Sequence, residues 1–387
     1  MNRENGKKRV LLSILIIILV FCLIAIIIIG IIYAPKKDGP SGGSPGDDSE
    51  DVGGNGDDSN GGSDGDHSGD TVDDDIDPVS GLKFMITQES GREETYMVHS
   101  IGTATGNVTV PETFRGIPVT SIGNSAFKDC PQLTGITIAN SVTVLGHSVF
   151  ENCVNLTAVE LPDSITAAGN FLFEGCTGLT SLKIGSGLTS LTDSQSVECV
   201  RWGLQTCINL TEFTVSEQNT AYRTENLCLI EKNTNKLVMS CARSVIPYGV
   251  IKIGRYAFDR CQSENVNIPV TVEKLEDYAF YESKITEMRL SDNVTSIGTA
   301  FSYCKFLQTV EICGVTEIES DAFSNCTSLT FIIVSQNLAK INRYAFSNSQ
   351  ASLLVLFRGT QSQWDTLQKD ESWDEGLANI TIEYDES

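Results

Sequence analysis

A short motif recurs along residues 127 to 349, in which a phenylalanine is followed three positions later by a cysteine or a serine. The pairs are Phe127/Cys130, Phe150/Cys153, Phe173/Cys176, Phe258/Cys261, Phe280/Ser283, Phe301/Cys304, Phe323/Cys326 and Phe346/Ser349. Consecutive phenylalanines are 21 to 23 residues apart, except across one interruption between residues 177 and 257. A fixed period of this length is typical of repeat solenoids, in which each unit contacts only its neighbours. The sequence therefore predicts an array of stacked turns and not a single globular core.

Each unit also carries a strand signal after its cysteine. In the first full unit Leu133, Ile136 and Ile138 follow an L-x-x-I-x-I pattern, and later units repeat it. Alternation at period two indicates a short strand with one buried side. Because a single turn cannot bury that side alone, neighbouring strands should stack about 4.8 Å apart in a parallel sheet. The phenylalanines and cysteines then form columns in the interior.

The repeat resembles the units of the BspA-like branch of the leucine-rich repeat proteins, I-G-x-x-A-F-x-x-C-x-x-L-x-x-I-x-I-P-x-x-V-x-x. The matching stretches are Ile122 to Val142, Ile253 to Val272, Ile297 to Val315 and Ile341 onward. The segment SEQNTAYRTENLCLIEKNTNKLVM after Val215 and the G-T-x-x-Q-W segment at Gly359 to Trp364 look like the same family. The resemblance implies a solenoid of short parallel β-strands joined by turns or short helices. It also implies a surface protein that binds other proteins or cells.

The interruption predicts an irregular middle section. Leu204 stands where a phenylalanine is expected before Cys207, and an insertion at residues 216–245 follows. Within the insertion, two apolar pairs flank a polar turn at Glu231 to Lys236, which predicts a hairpin of two short strands projecting from the stack. We expect an N-terminal cap and first partial repeat at 80–121, repeats at 122–215 and 246–357, and a C-terminal cap at 358–387.

The first 79 residues indicate where the protein is located relative to a membrane. Val10 to Tyr33 is a run of 24 residues without charge, long enough for a helix that crosses the hydrocarbon layer. Basic residues are more numerous before the run than after it, which predicts a single-pass anchor with residues 1–9 in the cytoplasm and the repeats outside the cell. A cleaved signal peptide is the competing interpretation, although the run is longer than such peptides and no small-x-small site is evident.

Charge narrows the classes of partner. Residues 38–77 contain 14 acidic residues, no Lys or Arg, and much Gly and Ser, so we expect 34–79 to be a disordered linker. The net charge of −23 divides into +5 for residues 1–37, −14 for residues 38–77 and −14 for residues 78–387. Nucleic acid and anionic lipid need a basic surface and are therefore poor ligands for this chain.

The cysteines predict a column of thiols rather than a set of disulfides. Seven of the 12 cysteines share one repeat phase. Stacked equivalents would have parallel Cβ vectors nearly 4.8 Å apart, beyond the usual separation for a disulfide bridge, so they should be free and buried. Cys228 and Cys241 lie off this phase, and pairing across the predicted hairpin stays open for them.

Enzymatic motifs are missing from the sequence. Its three histidines, His67, His99 and His147, stand beside no nucleophile motif, and neither a phosphate-binding glycine loop nor a G-x-S-x-G elbow occurs. No C-x-x-C pair suggests a structural zinc site. We therefore predict a protein that is not an enzyme and has no catalytic residues, metal site or cofactor.

Outward strand positions, which flank the inward I-x-I pair, are the candidates for partner binding. They include Glu160, Lys183, Glu212, Glu287, Arg289, Glu311, Phe331, Ile333, Leu354 and Leu356. The face is polar until its last two strands, where four apolar residues follow. Either the C-terminal cap covers them, with Trp364, Leu367 and Trp373 at hand, or a partner binds there.

These features predict a membrane-anchored cell-surface repeat protein that binds a protein or glycan. The alternative is a structural scaffold of the envelope without a dedicated ligand site, and an accessory subunit of a hydrolase or protease is a third possibility. Clustered aromatic or charged residues on the strand face favour a binding site, whereas an evenly polar face favours a spacer.

Overall fold

A computed structural model describes residues 75–88, 93–191, 201–349 and 352–385 of the chain. The predicted transmembrane helix at 10–33 and most of the acidic linker lie outside these residues. Within the described ranges, no helix has the length and apolar character needed to cross a membrane. The structure is a solenoid of stacked, mostly parallel β-strands, as the repeat predicts.

The L-x-x-I-x-I stretches form the longer strands of the array. They are β4 (Gly106–Val110), β7 (Leu133–Ile138), β9 (Ala158–Leu161), β11 (Ser181–Ile184), β12 (Glu212–Val215), β18 (Glu287–Leu290), β19 (Thr309–Ile312), β21 (Phe331–Ser335), β23 (Ser352–Arg358) and β25 (Asn379–Tyr384). They pair in parallel as β4–β7, β9–β11–β12 and β18–β19–β21–β23–β25. The longer strands therefore belong to three separate sheets.

A second set of strands, most of them two residues long, forms the other side of each turn. In the N-terminal half these are β1 (Asp75–Ile76), β2 (Lys83–Thr87), β3 (Thr95–Ser100), β5 (Thr113–Phe114), β6 (Ile117–Ile122), β8 (Val144–Leu145) and β10 (Ala167–Ala168). The first three are antiparallel neighbours, and β3, β6, β8 and β10 then stack in parallel. In the C-terminal half the short strands are β16 (Lys252–Ile253), β17 (Lys274–Leu275), β20 (Glu317–Ile318), β22 (Lys340–Ile341) and β24 (Gln368–Lys369).

The phenylalanines of the repeat form two columns of stacked rings in the core. Consecutive rings from Phe127 to Phe173, and from Phe258 to Phe346, have centroids 5.0 to 5.7 Å apart. A tryptophan closes each column edge-on, Trp202 against Phe173 and Trp373 against Phe346. Leu204 is buried, but the aromatic side chain that continues the column comes from two positions earlier.

The cysteines at the repeat phase are buried free thiols, as predicted. In five of them the Sγ donates a hydrogen bond to the backbone carbonyl of the phenylalanine in the preceding unit, for example Cys176 to Phe150 at 2.9 Å and Cys326 to Phe301 at 3.1 Å. The Ser349 hydroxyl makes the same bond to Phe323 O at 2.9 Å. This shared bond explains why serine can occupy the cysteine position.

Two residues beside each phenylalanine adopt left-handed backbone conformations. Around Phe127 these are Ser125 with φ 56° and Asp129 with φ 56°, and around Phe258 they are Tyr256 and Arg260 with φ 57° and 53°. Such conformations cost non-glycine residues roughly 1–2 kcal/mol each. The packed phenylalanine between them holds the turn in place.

The 216–245 insertion is part of the array and does not project from it. It forms three strands, β13 (Tyr222–Glu225), β14 (Cys228–Glu231) and β15 (Lys236–Ser240), which pair antiparallel in this order. The last strand pairs in parallel with β16. The predicted hairpin is confirmed, since β14 and β15 pair antiparallel across the turn at Glu231 to Lys236. Its projection from the stack is wrong, because apolar residues of β14 and β15 belong to both halves of the core. Cys228 and Cys241 within this region are both free thiols.

The core consists of two clusters that meet in the middle section. One cluster ends at Cys241 and the other begins at Cys228. A short 3-10 turn, Leu204–Thr206, lies at the junction, where the buried Gln205 amide donates to the Ser240 hydroxyl. Next to it, Arg201 stacks over Phe171 and Tyr256 with centroid distances of 4.9 and 4.4 Å. These polar contacts join the two halves in addition to the shared strands β14 and β15.

The C-terminal segment adds one short helix and two strands. Helix α1, Gln361–Asp365, begins with a capping box in which the side chains of Thr360 and Gln363 each accept a bond from the other's backbone N–H. β24 and β25 then extend the two sides of the array by one more turn.

Candidate partner-binding surface

Strand register places the predicted outward residues in rows across the sheets. In the N-terminal half, Glu160 aligns with Lys183, and Glu212 with Ser181. In the C-terminal half one row is Glu287, Thr309, Phe331 and Leu354, and the other is Arg289, Glu311, Ile333 and Leu356. The structure thus brings the ten candidates together as two groups, one on β9–β12 and one on β18–β23.

Four apolar side chains form a contiguous patch in the second group. We name Phe331, Ile333, Leu354 and Leu356 the apolar patch; each is half-buried. The inward residues of the same strands are buried, with exposures of 0 to 3%. This difference in exposure follows from the alternation of side chains along a strand, so the patch is a surface feature and not part of the core.

The C-terminal cap does not cover the apolar patch. Trp364 is edge-on to Phe357 at 5.4 Å, and Trp373 is edge-on to Phe346 at 6.3 Å, so both rings close the open end of the core. The added strand β25 presents the exposed residues Thr381 and Glu383 beside Leu354 and Leu356. The two tryptophans of the cap thus pack against the core, and the residues of the apolar patch stay half-buried.

Two arginines fix the charged border of the patch. Glu311 accepts from Arg289 Nε at 2.6 Å and from an Arg358 guanidinium nitrogen at 2.7 Å. The other terminal nitrogen of Arg358 lies 3.1 Å from Cys313 Sγ. Arg358 lies on the outward side of β23, two positions after Leu356. The L-x-x-I-x-I pattern ends before Arg358 and does not predict its role. Alternation continued along the strand from Leu354 and Leu356 does predict that Arg358 faces outward.

The first group of candidates lies beside a groove at the ends of the strands. Lys183 Nζ and Glu160 Oε1 are 2.6 Å apart, and this bond raises the pKa of the Lys183 ammonium. Glu212 accepts a hydrogen bond from the Ser181 hydroxyl at 2.8 Å. The groove has a volume of about 470 Å³. We call it the strand-end groove; it is lined by Ile136, Thr137, Ile138, Asn140, Glu160, Leu161, Pro162, Asp163, Lys183, Gly185, Ser216 and Gln218.

Backbone bonds orient one acid of the groove. Asp163 Oδ1 accepts from the Ser186 N–H at 2.6 Å, and this bond lowers the pKa of the carboxyl group. Ser216, which also lines the groove, donates to Gln218 Oε1 at 2.6 Å. The repeat pattern does not single out Asp163, Ser216 or Gln218, because they follow the strands and lie outside it.

Parallel strands stacked in units of 21 to 23 residues, with an interior of leucine, isoleucine and phenylalanine, define a leucine-rich repeat protein. The model of the BspA type leucine rich repeat region matches residues 106–225 and 229–352 in six copies. The chain belongs to this family.

Solved structures with a similar fold come from bacterial repeat proteins. A leucine-rich repeat protein from Eubacterium ventriosum is 19% identical, over 78% of this chain and 94% of that one, with a TM-score of 0.48. A leucine rich cell surface protein from Faecalibacterium prausnitzii is 21% identical over 74% and 96%, with a TM-score of 0.36. The pneumococcal vaccine antigen PcpA is 17% identical over 78% and 97%, with a TM-score of 0.39. No sequence match was found among curated proteins.

Proposed function

We propose that this chain is a membrane-anchored cell-surface protein whose repeat array binds a protein partner through the apolar patch. The uncharged run Val10 to Tyr33, with its basic flank, supports the anchor, and the acidic segment 34–79 serves as a spacer. The observation that carries the binding proposal is the contiguous apolar patch on a face that is otherwise polar.

The chemistry of the patch favours a protein over a glycan. Its four side chains offer no hydrogen-bonding group, so sugar hydroxyls placed on them would lose water without gaining a partner. Glu383 borders the patch, is exposed, and has no ion-pair partner within the described ranges. The partner therefore presents an apolar side chain next to a lysine or arginine, which also suits the acidic charge of the array.

A pull-down with variants tests this proposal. The full-length chain in detergent serves as bait, and Phe331→Ser combined with Leu354→Ser should abolish binding of its protein partner, while Glu383→Lys should weaken it. The thermal transition should change little, because the patch is half-buried and cross-strand pairs contribute roughly 0.2–1 kcal/mol each.

A matched control removes apolar surface elsewhere. Ile208→Ser changes a residue that is 48% exposed and outside the patch, and it should leave binding intact. Equal binding by the double variant and the wild type would show that the patch is not the interface. If no protein depends on the patch at all, the envelope scaffold becomes the better description.

The proposed topology has its own test. Protease added to whole cells should remove the repeat array, because the array lies outside the membrane in this proposal. An array that resists digestion until the membrane is opened, or a mature N-terminus that begins after Ala34, would contradict the anchor.

A further inference from the structure

The strand-end groove lies at the boundary between two sheets of the longer strands. β7 and the start of β9 remain neighbours there, and the Thr157 N–H donates to Thr134 O at 3.2 Å. β7 pairs with β4 and β9 pairs with β11, but β7 and β9 belong to different sheets. The repeat length does not explain this boundary, because Phe127 and Phe150 are 23 residues apart, as are Phe150 and Phe173. The groove is thus built into a region whose repeats are otherwise regular.

The inward residues of β7 are slightly more exposed than those of β11. Ile136 and Ile138, the inward residues of β7, are 8% and 7% exposed, whereas Leu182 and Ile184 on β11 are 0% and 1% exposed. These isoleucines, with Leu161, contribute an apolar floor to the groove. A volume of about 470 Å³ falls within the usual range of small-ligand sites, roughly 300–1,000 Å³.

Both hydrogen-bond donors and hydrogen-bond acceptors line the walls of the groove. Glu160 and Asp163 supply acceptors, Lys183 supplies a donor, and the amides of Asn140 and Gln218 supply both. The hydroxyls of Thr137 and Ser216 add groups that both donate and accept. Because Lys183 is already paired with Glu160, the lining carries little net charge beyond that of Asp163.

This lining selects against several ligand classes. An anionic ligand would meet two carboxylates, and the only lysine of the lining is already paired. A nucleobase would find no aromatic ring on which to stack, since no lining residue is aromatic. Among the described residues no group of three side chains is placed to hold a metal ion.

We propose that the strand-end groove is a binding site for a neutral carbohydrate, namely one or two sugar units at the end of a glycan. Each sugar hydroxyl both donates and accepts, which matches a wall of carboxylates, amides, hydroxyls and one ammonium group. The C–H surface of the sugar ring lies against the isoleucine floor. This site is separate from the apolar patch, and its ligand differs in chemistry from the proposed protein partner.

Titration of the full-length chain in detergent with neutral oligosaccharides tests the site. A panel of uncharged glycans is screened first, and the best binder is then measured by calorimetry. Lys183→Met and Gln218→Ala should each weaken binding at least tenfold. Thr137→Trp should abolish binding, because it fills the groove from an exposed position without changing the ion pair.

Two control variants separate binding in the groove from binding elsewhere on the array. Glu212→Gln changes an outward carboxylate that does not line the groove and should bind as the wild type does. Phe331→Ser with Leu354→Ser should also leave sugar binding unchanged, so failure of the patch proposal and failure of this one are distinguishable. Circular dichroism of each variant checks that the array is folded.

Three results would overturn the proposal. One is binding of no neutral glycan in the panel by the folded wild type. Another is sugar binding that persists in Thr137→Trp, which would place the sugar elsewhere. The third is a preference for acidic glycans or for uncharged peptides over neutral sugars, which would assign the groove to a different class of ligand.

Discussion

Replacement of Cys176 tests whether the thiol column contributes to stability by packing and hydrogen bonding together. Its Sγ is fully buried and donates to the carbonyl of Phe150 at 2.9 Å. That carbonyl also accepts from the Cys153 N–H at 3.0 Å, so it keeps one partner when the thiol is removed. The cost of Cys176→Ala is therefore the loss of one buried atom and one bond, without an orphaned acceptor.

The magnitude follows from these two losses. Deleting one buried methyl-sized group costs roughly 0.5–1.5 kcal/mol, and a thiol hydrogen bond contributes at most about 1 kcal/mol. We expect Cys176→Ala to lower the free energy of unfolding by about 1–2 kcal/mol. Cys176→Ser should cost less than about 1 kcal/mol, because Ser349 makes the same bond at the equivalent position. Cys176→Asp should cost at least about 3 kcal/mol, since it buries a charge without a counterion.

Urea denaturation followed by circular dichroism measures the series. Because repeat arrays can unfold in parts, hydrogen exchange of the amides in β9, β11 and β12 should accompany it and locate the loss near the substitution. A Cys176→Ala variant that is as stable as Cys176→Ser would show that the hydrogen bond contributes nothing to stability. Aspartate that is tolerated within about 1 kcal/mol would show that the site is not dry.

Three further predictions concern reactivity, pH and the cap. Burial raises the pKa of the repeat thiols and of Cys313, so iodoacetamide should modify these thiols only after unfolding, with Cys130 and Cys313 (6% and 5% exposed) reacting first. Rapid labelling of the other repeat thiols in the native protein, detected by mass spectrometry, would contradict the buried column. Burial raises the pKa of Asp259 to about 6, against an unfolded value of about 4, so the folded state retains this proton longer. Stability should therefore fall as pH rises from about 4 to 6, and urea midpoints for Asp259→Asn should lose that part of the pH dependence. Trp373→Ala uncovers Phe346 and should cost about 2 kcal/mol, with faster amide exchange in β23 and β25; unchanged exchange would show that the tryptophan does not close the core.

The repeat predicts most of the regular architecture because every unit buries the same sequence positions against its neighbours. The period placed the phenylalanine column, the buried thiols and the strand register correctly. The two rows through Phe331 and Ile333 follow directly from alternation along the strands. Near-identical units leave few alternative arrangements, and the errors are therefore confined to places where the period fails.

The irregular features depend on contacts between units that a single motif does not encode. Trp202 continues the ring column although Leu204 occupies the repeat position, because a larger ring two residues away reaches the same space. The insertion joins the stack because the edge of β15 pairs with β16. The strand-end groove lies at the boundary between the β4–β7 and β9–β11–β12 sheets, for which the local sequence gives no evident signal.

The division of the core into two clusters has a mechanical consequence. Backbone hydrogen bonds between units run along the axis of the array. When a force pulls the two ends of the array apart, these bonds lie in series and each layer of them bears the force. The junction near Gln205 lies between the two clusters, and we expect it to be the first interface to open. Each half could then remain intact under load, because a tryptophan closes the phenylalanine column of each. Opening of the junction would lengthen the chain and so lower the tension between the two points at which its ends are held.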